Sequence, residues 1–390
     1  MLGSSLGVWH DESGRFPSAS PRSASERKDA RLIQRQSCFT TGFLGFELGL
    51  NLQDTLLCLI FGTFLGAMLT GWCATLGPKT GLRQVSISRY SMGWWPVKII
   101  AVLNVIEQLG WSSVGCKNGS PEFAQCIANS VETGITGGLA LAAVSNGAVG
   151  SELGVIICAI AGLVFSFFGL RAVLKYEEYA WAIFFIVFMV IYGEAGTQAD
   201  ITTPTELTGT VLSGTCLSLI AVVYGSSASW CSIVSDYYVH YHPDTSVHKV
   251  FWLTTLGISV PTCIGMCAGA CVGSAFGLIP SWEDTYSNDG VGYLVQLILY
   301  PRGFAKFICV LLVLSGIGMN CIAIYSGALS IQQFARPLQR VPRFVWTLAL
   351  FVGILLLGLV GRNHLLAFLQ NFLSLLGYWN TTYFVIVFLE

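Results

Sequence analysis

The sequence predicts an all-α polytopic membrane protein, and three observations support this class. Apolar runs of membrane-crossing length recur from residue 38 to the end of the 390-residue chain. Only 11% of the residues are charged and 54% are hydrophobic, whereas a soluble domain carries about 25% charged residues because its surface is wetted. The segments between the apolar runs also alternate in charge, which a soluble protein has no reason to do.

The candidate membrane helices follow from the lengths of the apolar runs, since a span needs about 20 residues. The candidates are 38–50, 52–76, 97–115, 135–149, 152–169, 178–193, 208–230, 250–276, 304–330, 344–361 and 364–389. The first run is short and contains Glu47. The atypical insert at 115–134 is polar and contains Gly-Ser-Pro, so we expect 97–115 and 135–149 to be two pieces of one helix.

The segments between the spans predict the orientation of the chain. Lys and Arg are carried by 77–98, 169–179 and 332–343, whereas 194–207 and 281–290 carry acidic residues and no Lys or Arg. Because basic loops concentrate on the cytoplasmic side, the basic segments are predicted inside. Residues 1–37 are polar and Ser-rich and lack the apolar region of a signal peptide, so we expect a disordered cytosolic tail before a transporter domain at 38–390.

Several classes of function are disfavoured by composition. The net charge of −1 gives no indication of nucleic-acid binding. Most of the thirteen Cys lie inside apolar runs, where they are typical packing residues. His240, His242 and His248 share one loop without tightly spaced carboxylate or thiol ligands, so no metal site is expected. No enzyme signature such as HExxH or a Walker loop is present, and the chain is predicted not to be an enzyme.

Polar residues inside the spans are the candidate functional groups, since such groups are costly in lipid. Asn104, Glu107, Gln108 and Trp111 recur at helical spacing and share one face. Two interpretations remain open: hydrogen bonding between packed helices, and a pathway for a solute.

Gly- and Ser-rich runs at 224–230 and 315–320 are further candidates, because a broken helix exposes backbone groups to substrate. Close helix packing is the alternative for both. Glu177 and Glu178 precede a span, where the simpler interpretation is a carboxylate at a helix N-terminus. Indole rings and carboxamides together favour a flat, uncharged, hydrogen-bonding solute.

Specific motifs carry a resemblance to a known family. They are 76–84 (LGPKTGLRQ) with 88–91, 109–114 (LGWSSV), 135–138, 176–181 (YEEYAW), 324–330, 371–373 and 376–379. In these motifs the chain resembles the fungal purine–cytosine permeases of the nucleobase–cation symporter 1 (NCS1) family. The resemblance covers about residues 40–390.

The resemblance implies a LeuT-like transporter fold of 5+5 helices in an inverted repeat, here apparently truncated at helix 1 and lacking helices 11–12. It implies proton-coupled uptake of purine nucleobases and cytosine across the plasma membrane, with no cofactor besides the coupling proton. It also implies that Trp111 and Trp230 sandwich the base, that Glu177 and Asn320 contribute to recognition, and that Thr40 lies near the polar positions of helix 1.

The sequence also departs from the family pattern. Gly115 stands where the family has Asn four residues after the helix-3 Trp, and Met319 replaces a helix-8 Asn. Two alternatives therefore stay open. One is NCS1 transport of another solute, such as uracil, allantoin or a vitamin, and the other is a non-functional truncated or mis-spliced permease.

Overall fold

The computed structural model describes residues 39–116, 185–239 apart from 206, 241–289, 291–360 and 365–389, with scattered positions between 144 and 166. The tail 1–37, most of the insert, most of the two spans between 135 and 169, and Glu177 lie outside the described residues. Those that are described all belong to one compact unit, Leu32–Glu390. Regular structure within them is helical throughout.

The long helices follow the spans that were predicted from the lengths of the apolar runs, and shorter helices lie between them. In chain order they are α1 (Leu44–Glu47), α2 (Leu52–Thr80), α3 (Gln84–Met92), α4 (Pro96–Cys116), α5 (Phe185–Gln198), α6 (Gly209–Ala228), α7 (Ser235–Tyr238), α8 (Val247–Ser274), α9 (Pro280–Asp289), α10 (Val291–Ile298), α11 (Arg302–Phe334), α12 (Arg336–Arg340), α13 (Arg343–Val360) and α14 (Leu365–Leu389). Short 3-10 turns at Thr40–Phe43 and Ser229–Ser232 precede α1 and follow α6.

Three stretches of the described chain are long and apolar enough to cross a membrane: Leu52–Thr80, Gly209–Tyr238 and Val247–Ser274. Shorter apolar helices are found at Phe185–Gln198, Arg343–Ile354 and Leu375–Leu389. Large apolar side chains such as Leu57, Phe61 and Ile99 are more than half exposed on the outside of the fold. Exposure of this kind on long apolar helices is that of a lipid-facing surface, as the sequence predicted.

Local sequence signals place the two ends of α2. The Asn51 side chain accepts a hydrogen bond from the Asp54 backbone N–H (2.7 Å), which caps the first turn, and Asp54 complements the positive end of the helix dipole. Gly81 ends the helix with φ +63°, and its N–H donates to the Gly77 carbonyl.

The helices form two groups. In the first, here called the bundle, α2 packs between α6 and α8, and α1 packs on α8 and α2. In the second, the scaffold, α4 packs on α11 and α13. Glycines permit the close contacts of the bundle, because a Cβ on Gly66 would lie 2.5 Å from the Tyr224 carbonyl oxygen of α6. α14 packs on α6 and also contacts α3.

The order of the helices repeats with inverted topology. A long helix, a short helical segment and a second long helix occur as α2, α3 and α4, and again as α8, α9 with α10, and α11. We call the end with segments 79–98 and 335–343 the basic end, and the end with 199–208 and 281–289 the acidic end. α3 lies at the basic end and α9–α10 at the acidic end, as an inverted repeat requires.

The short helices correct one sequence prediction. Segments 77–98 and 277–303 were expected to be loops, but they contain α3 and α9–α10. Their composition explains the error, since α3 is largely polar and α9 begins at Pro280 and is rich in charged and polar residues. Pro is well tolerated at the start of a helix because the first N–H groups need no helical partner.

Aromatic and basic side chains meet at the basic end of the fold. Trp94 and Trp95 are 43% and 73% exposed between α3 and α4. The Arg89 guanidinium carbon lies 4.8 Å from the ring centroid of Trp94, and the Lys98 ammonium nitrogen lies 4.0 Å from that of Trp95. Indole and basic groups together are typical of a membrane–water interface.

Candidate functional site

The long helix of the bundle that starts at Gly209 is broken near its basic end. α6 ends at Ala228, a 3-10 turn covers Ser229–Ser232, and Ile233 leaves helical geometry with φ −133° before α7 begins. The Ser229 and Ser232 hydroxyls donate to the carbonyl oxygens of Ser226 (2.8 Å) and Ser229 (3.2 Å). Of the two interpretations of the run at 224–230, close packing therefore applies to 224–228, which stays helical, and the break begins at its last two residues.

Trp230 lies in this break and is buried, with 3% of its surface exposed. Its ring centroid is 6.3 Å from that of Tyr237, and the two rings are tilted by 53°. The Tyr237 hydroxyl pairs with the Ser326 hydroxyl of α11 at 3.1 Å. The break thus presents an indole and a phenol at the boundary between bundle and scaffold.

Asn104 of α4 joins the two groups of helices at the same level. Its Nδ2 donates to Ser330 Oγ of α11 (2.6 Å), and its Oδ1 accepts from Ser232 Oγ at the break (2.9 Å). Gln108 Nε2 approaches the same Oδ1 one turn further along (3.3 Å). Asn104 is 1% exposed, and both ends of its carboxamide are hydrogen-bonded. This side chain therefore holds the helices together.

A second set of polar contacts attaches α14. Asn380 Nδ2 donates to Glu107 Oε2 of α4 (3.3 Å) and to the Leu376 carbonyl oxygen (3.0 Å). Tyr224 of α6 and Thr381 share a hydroxyl–hydroxyl bond of 2.6 Å. For Asn104 and Glu107 the structure therefore provides the contacts of the first interpretation, hydrogen bonding between packed helices.

A third network closes the basic end around Gln84, the first residue of α3. Gln84 is fully buried, its backbone N–H donates to Asp236 Oδ1 of α7 (3.0 Å), and its Nε2 donates to the Tyr383 hydroxyl of α14 (2.7 Å). Tyr383 also shares a 2.7 Å hydrogen bond with Ser88 Oγ. We call Gln84, Ser88, Asp236 and Tyr383 the basic-end network.

Arg89 extends this network to the scaffold, because its Nη2 donates to the Gln333 carbonyl oxygen near the end of α11 (2.7 Å). Burial lowers the pKa of Arg89 below its ordinary value, although an arginine stays charged at any physiological pH. α3 thus bridges the inner end of the broken helix, α11 and α14.

The structure describes the predicted site residues to different extents. Trp230 lies at the bundle–scaffold boundary, as described above. Trp111 lies on α4, Asn320 on α11 and Thr40 in the 3-10 turn before α1, but the structure does not describe their side chains. Glu177 lies outside the described residues altogether. The run at 315–320 is an uninterrupted part of α11, so of its two interpretations the structure agrees with close helix packing and not with a broken helix.

Sequence reasoning missed several members of these networks. Ser330 and Asn380 are polar residues inside predicted spans, a signal that was available, whereas Ser232 lies just beyond the span predicted at 208–230. The partners of all three are more than a hundred residues away in sequence. Gln84 and Ser88 belong to the motif that carried the family resemblance, although that resemblance assigned them no role.

A broken helix inside an inverted repeat of long apolar helices defines a helical transporter fold of the membrane. A family profile described as "Permease for cytosine/purines, uracil, thiamine, allantoin" matches residues 36–386, and the chain belongs to this family. It is a multi-pass integral membrane protein and not an enzyme.

Curated relatives differ in what they carry. The chain is 31% identical over 364 residues to a vitamin B6 transporter of Saccharomyces cerevisiae, covering 92% of this chain and 59% of the relative. It is 34% identical over 357 residues to the purine-cytosine permease fcyB of Emericella nidulans, covering 91% and 66%. The chain therefore spans less than two thirds of the length of these relatives.

Solved structures agree on the fold. Mhp1, a nucleobase-cation-symport-1 family transporter in a closed conformation with bromovinylhydantoin bound, superposes with a TM-score of 0.57 at 15% identity, covering 89% of this chain and 77% of that one. Mhp1 in its inward-facing conformation gives 0.56 at 14% identity, covering 90% and 74%. The predicted inverted-repeat transporter fold is confirmed by these likenesses.

Proposed function

We propose that the chain is a secondary active transporter that carries purine nucleobases and cytosine into the cell across the plasma membrane, coupled to protons. Membership of the permease family and the similarity to fcyB support this substrate class. The observation that carries the proposal is Trp230 at the break of the bundle helix, next to the scaffold. The basic end faces the cytoplasm, in agreement with its Lys and Arg residues.

The chemistry of the break suits a flat heterocycle. An aromatic ring that stacks on a planar base contributes about 0.5–1.5 kcal/mol beyond the burial of its area. In transporters, breaks of this kind expose backbone donors and acceptors to the substrate. Trp111 would complete the sandwich from α4, with Asn320, Glu177 and Thr40 as further recognition residues, as the family resemblance implies.

A vitamin is the second candidate substrate. The vitamin B6 transporter of yeast is 31% identical to this chain over 92% of this chain's length. The vitamin's pyridine ring is also flat and carries hydrogen-bonding groups, so the same indole stacking applies to it. Competition between the two substrate classes decides between them.

Uptake in a yeast strain that lacks its own purine–cytosine and vitamin B6 transporters tests the proposal. Radiolabelled adenine, cytosine and pyridoxine are offered to cells that express the chain, Trp230→Ala or Trp252→Ala, with surface levels measured by a tag. Trp252 is a matched control because it is 47% exposed on α8. We expect uptake of adenine and cytosine, lost only in Trp230→Ala.

Each other outcome decides a different point. Uptake of pyridoxine alone would establish the second candidate. Normal uptake by Trp230→Ala at equal surface level would refute the stacking role of that indole. Uptake of none of the three compounds by the chain at the cell surface would refute the transport proposal and favour a non-functional product.

A further inference from the structure

A carboxyl group without a partner lies at the acidic end of the bundle. Glu47 is the last residue of α1, and both of its carboxylate oxygens are buried. No residue that the structure describes donates a hydrogen bond to either oxygen or forms an ion pair with it. Glu107, the other buried glutamate of the described spans, differs because it accepts a hydrogen bond from Asn380.

The packing around α1 explains why water does not reach Glu47 in this conformation. Gly42 and Gly45 bring the segment against the backbone of α8 and against Thr55 of α2, since a Cβ on either glycine would overlap those atoms. The Phe46 ring packs edge-on against Phe276 with centroids 5.5 Å apart. These contacts hold α1 closely against its neighbours, and both Glu47 oxygens lie below the surface even though the residue as a whole is only half-buried.

No described neighbour offers Glu47 a compensating positive charge. The titratable groups at this end are acidic or neutral on every element around α1: Asp54 and Cys58 on α2, Cys267 and Cys271 on α8, Tyr286 on α9, and Asp200 before α6. Arg302 and Lys306 begin α11 at the same end, but neither forms an ion pair with Glu47.

An ionised carboxylate buried in this way costs several kcal/mol, so the group takes up a proton instead. We infer that Glu47 is a proton-binding site and that its protonation permits the acidic end to close over substrate; the inference rests on the proposed transport function. When the acidic end is open, water solvates the ionised carboxylate. Closure buries the group, and only the neutral form is buried without that cost.

This site gives transport a definite pH dependence. Above the pH at which the solvated carboxyl group of Glu47 ionises, the fraction of protein molecules whose acidic end can close falls about tenfold for each unit of pH. Initial uptake of adenine at low concentration should therefore fall steeply as external pH rises from about 5 to about 7. Glu47→Gln is permanently neutral and should transport at a rate that is independent of pH over this range.

Two further variants control the experiment. Glu283→Gln removes an exposed carboxylate of α9 at the same end and should keep the pH dependence of the parent. Glu47→Asp keeps a titratable group and should also remain pH-dependent. A Glu47→Gln variant whose uptake changes with pH as the parent's does would overturn the inference while leaving the transport proposal intact. A parent whose uptake does not change with pH would overturn both the inference and the proposed coupling to protons, while leaving nucleobase uptake itself in place.

A second measurement does not depend on transport. Protonated Glu47 in the folded chain and ionised Glu47 in the unfolded chain mean that folding takes up a proton, so stability falls as pH rises. The melting temperature of the purified parent should fall relative to that of Glu47→Gln between about pH 5 and about pH 8. Parallel pH curves for the two proteins would show that Glu47 does not hold a proton, whether or not the chain transports.

Discussion

Replacement of Tyr383 by Phe tests the basic-end network with the loss of a single oxygen atom. The Tyr383 side chain is 1% exposed, and its hydroxyl accepts a hydrogen bond of 2.7 Å from Gln84 Nε2. Ser88 Oγ keeps its 2.8 Å bond to the Gln84 carbonyl oxygen when Tyr383 is changed, so it is not left without a partner. Gln84 Nε2 is the donor that loses its acceptor.

The structure sets the magnitude of this effect. An unsatisfied buried donor costs about 1–3 kcal/mol, and the space vacated by one oxygen atom is too small for a water molecule with partners of its own. For a protein of this size we expect the melting temperature of the detergent-solubilised protein to fall by roughly 2–5 °C. Tyr378→Phe on the same helix is the matched control, since Tyr378 is 74% exposed.

The double variant Gln84→Leu with Tyr383→Phe sharpens the test. Replacing both partners of a buried hydrogen bond by apolar groups costs less than removing one of them. The double variant should therefore lose less stability than the sum of the two single losses. Equal melting temperatures for Tyr383→Phe and Tyr378→Phe, or strictly additive losses in the double variant, would refute the network.

Two other predictions concern the bundle. Gly269→Ala should prevent folding, because the added methyl group would overlap the Phe39 carbonyl oxygen, whereas Gly214→Ala on α6 has open space and should fold normally. Fluorescence-detected size-exclusion chromatography distinguishes the two variants. A monodisperse Gly269→Ala protein would contradict the described packing. Ser232→Ala removes the described hydrogen bond from the break to Asn104 and should raise the alkylation rate of the buried Cys231 about 2- to 10-fold. Mass spectrometry of the Cys231 peptide measures this rate, and Ser218→Ala on α6 should leave it unchanged. An unaltered rate in Ser232→Ala would show that this bond does not hold the break closed.

The sequence predicts the long helices well because lipid exposure imposes a simple rule on them. An apolar run of about 20 residues satisfies its backbone only as a helix, so the length of the run gives the bounds of α2, α8 and α11 to within a few residues. α3 and α9 escape this rule because they lie at the ends of the bundle, where water and polar side chains are available. Their polar composition is then the same as that of a loop.

The site is only partly predictable for a related reason. The break in α6 is visible as consecutive small and polar residues, and the polar face of α4 is visible from its helical spacing. Which of two roles such a face has depends on the partners that folding provides. Asn104 was a candidate for the solute pathway, yet its carboxamide is occupied by Ser330 and Ser232, which no local pattern identifies as its partners.

The bonds of Asn104 also indicate how the basic end would open. Its bond to Ser330 lies within the scaffold, between α4 and α11, and a rigid scaffold keeps it in every conformation. Its bond to Ser232 crosses to the bundle, so a rocking motion of bundle against scaffold breaks that bond and leaves the other. Ser232 then retains the Ser229 carbonyl as an acceptor, and Asn104 Oδ1 retains Gln108 as a donor. Opening therefore leaves neither group without a partner, and an exchangeable hydrogen bond of this kind at the boundary is consistent with a protein that alternates between two packings of similar free energy.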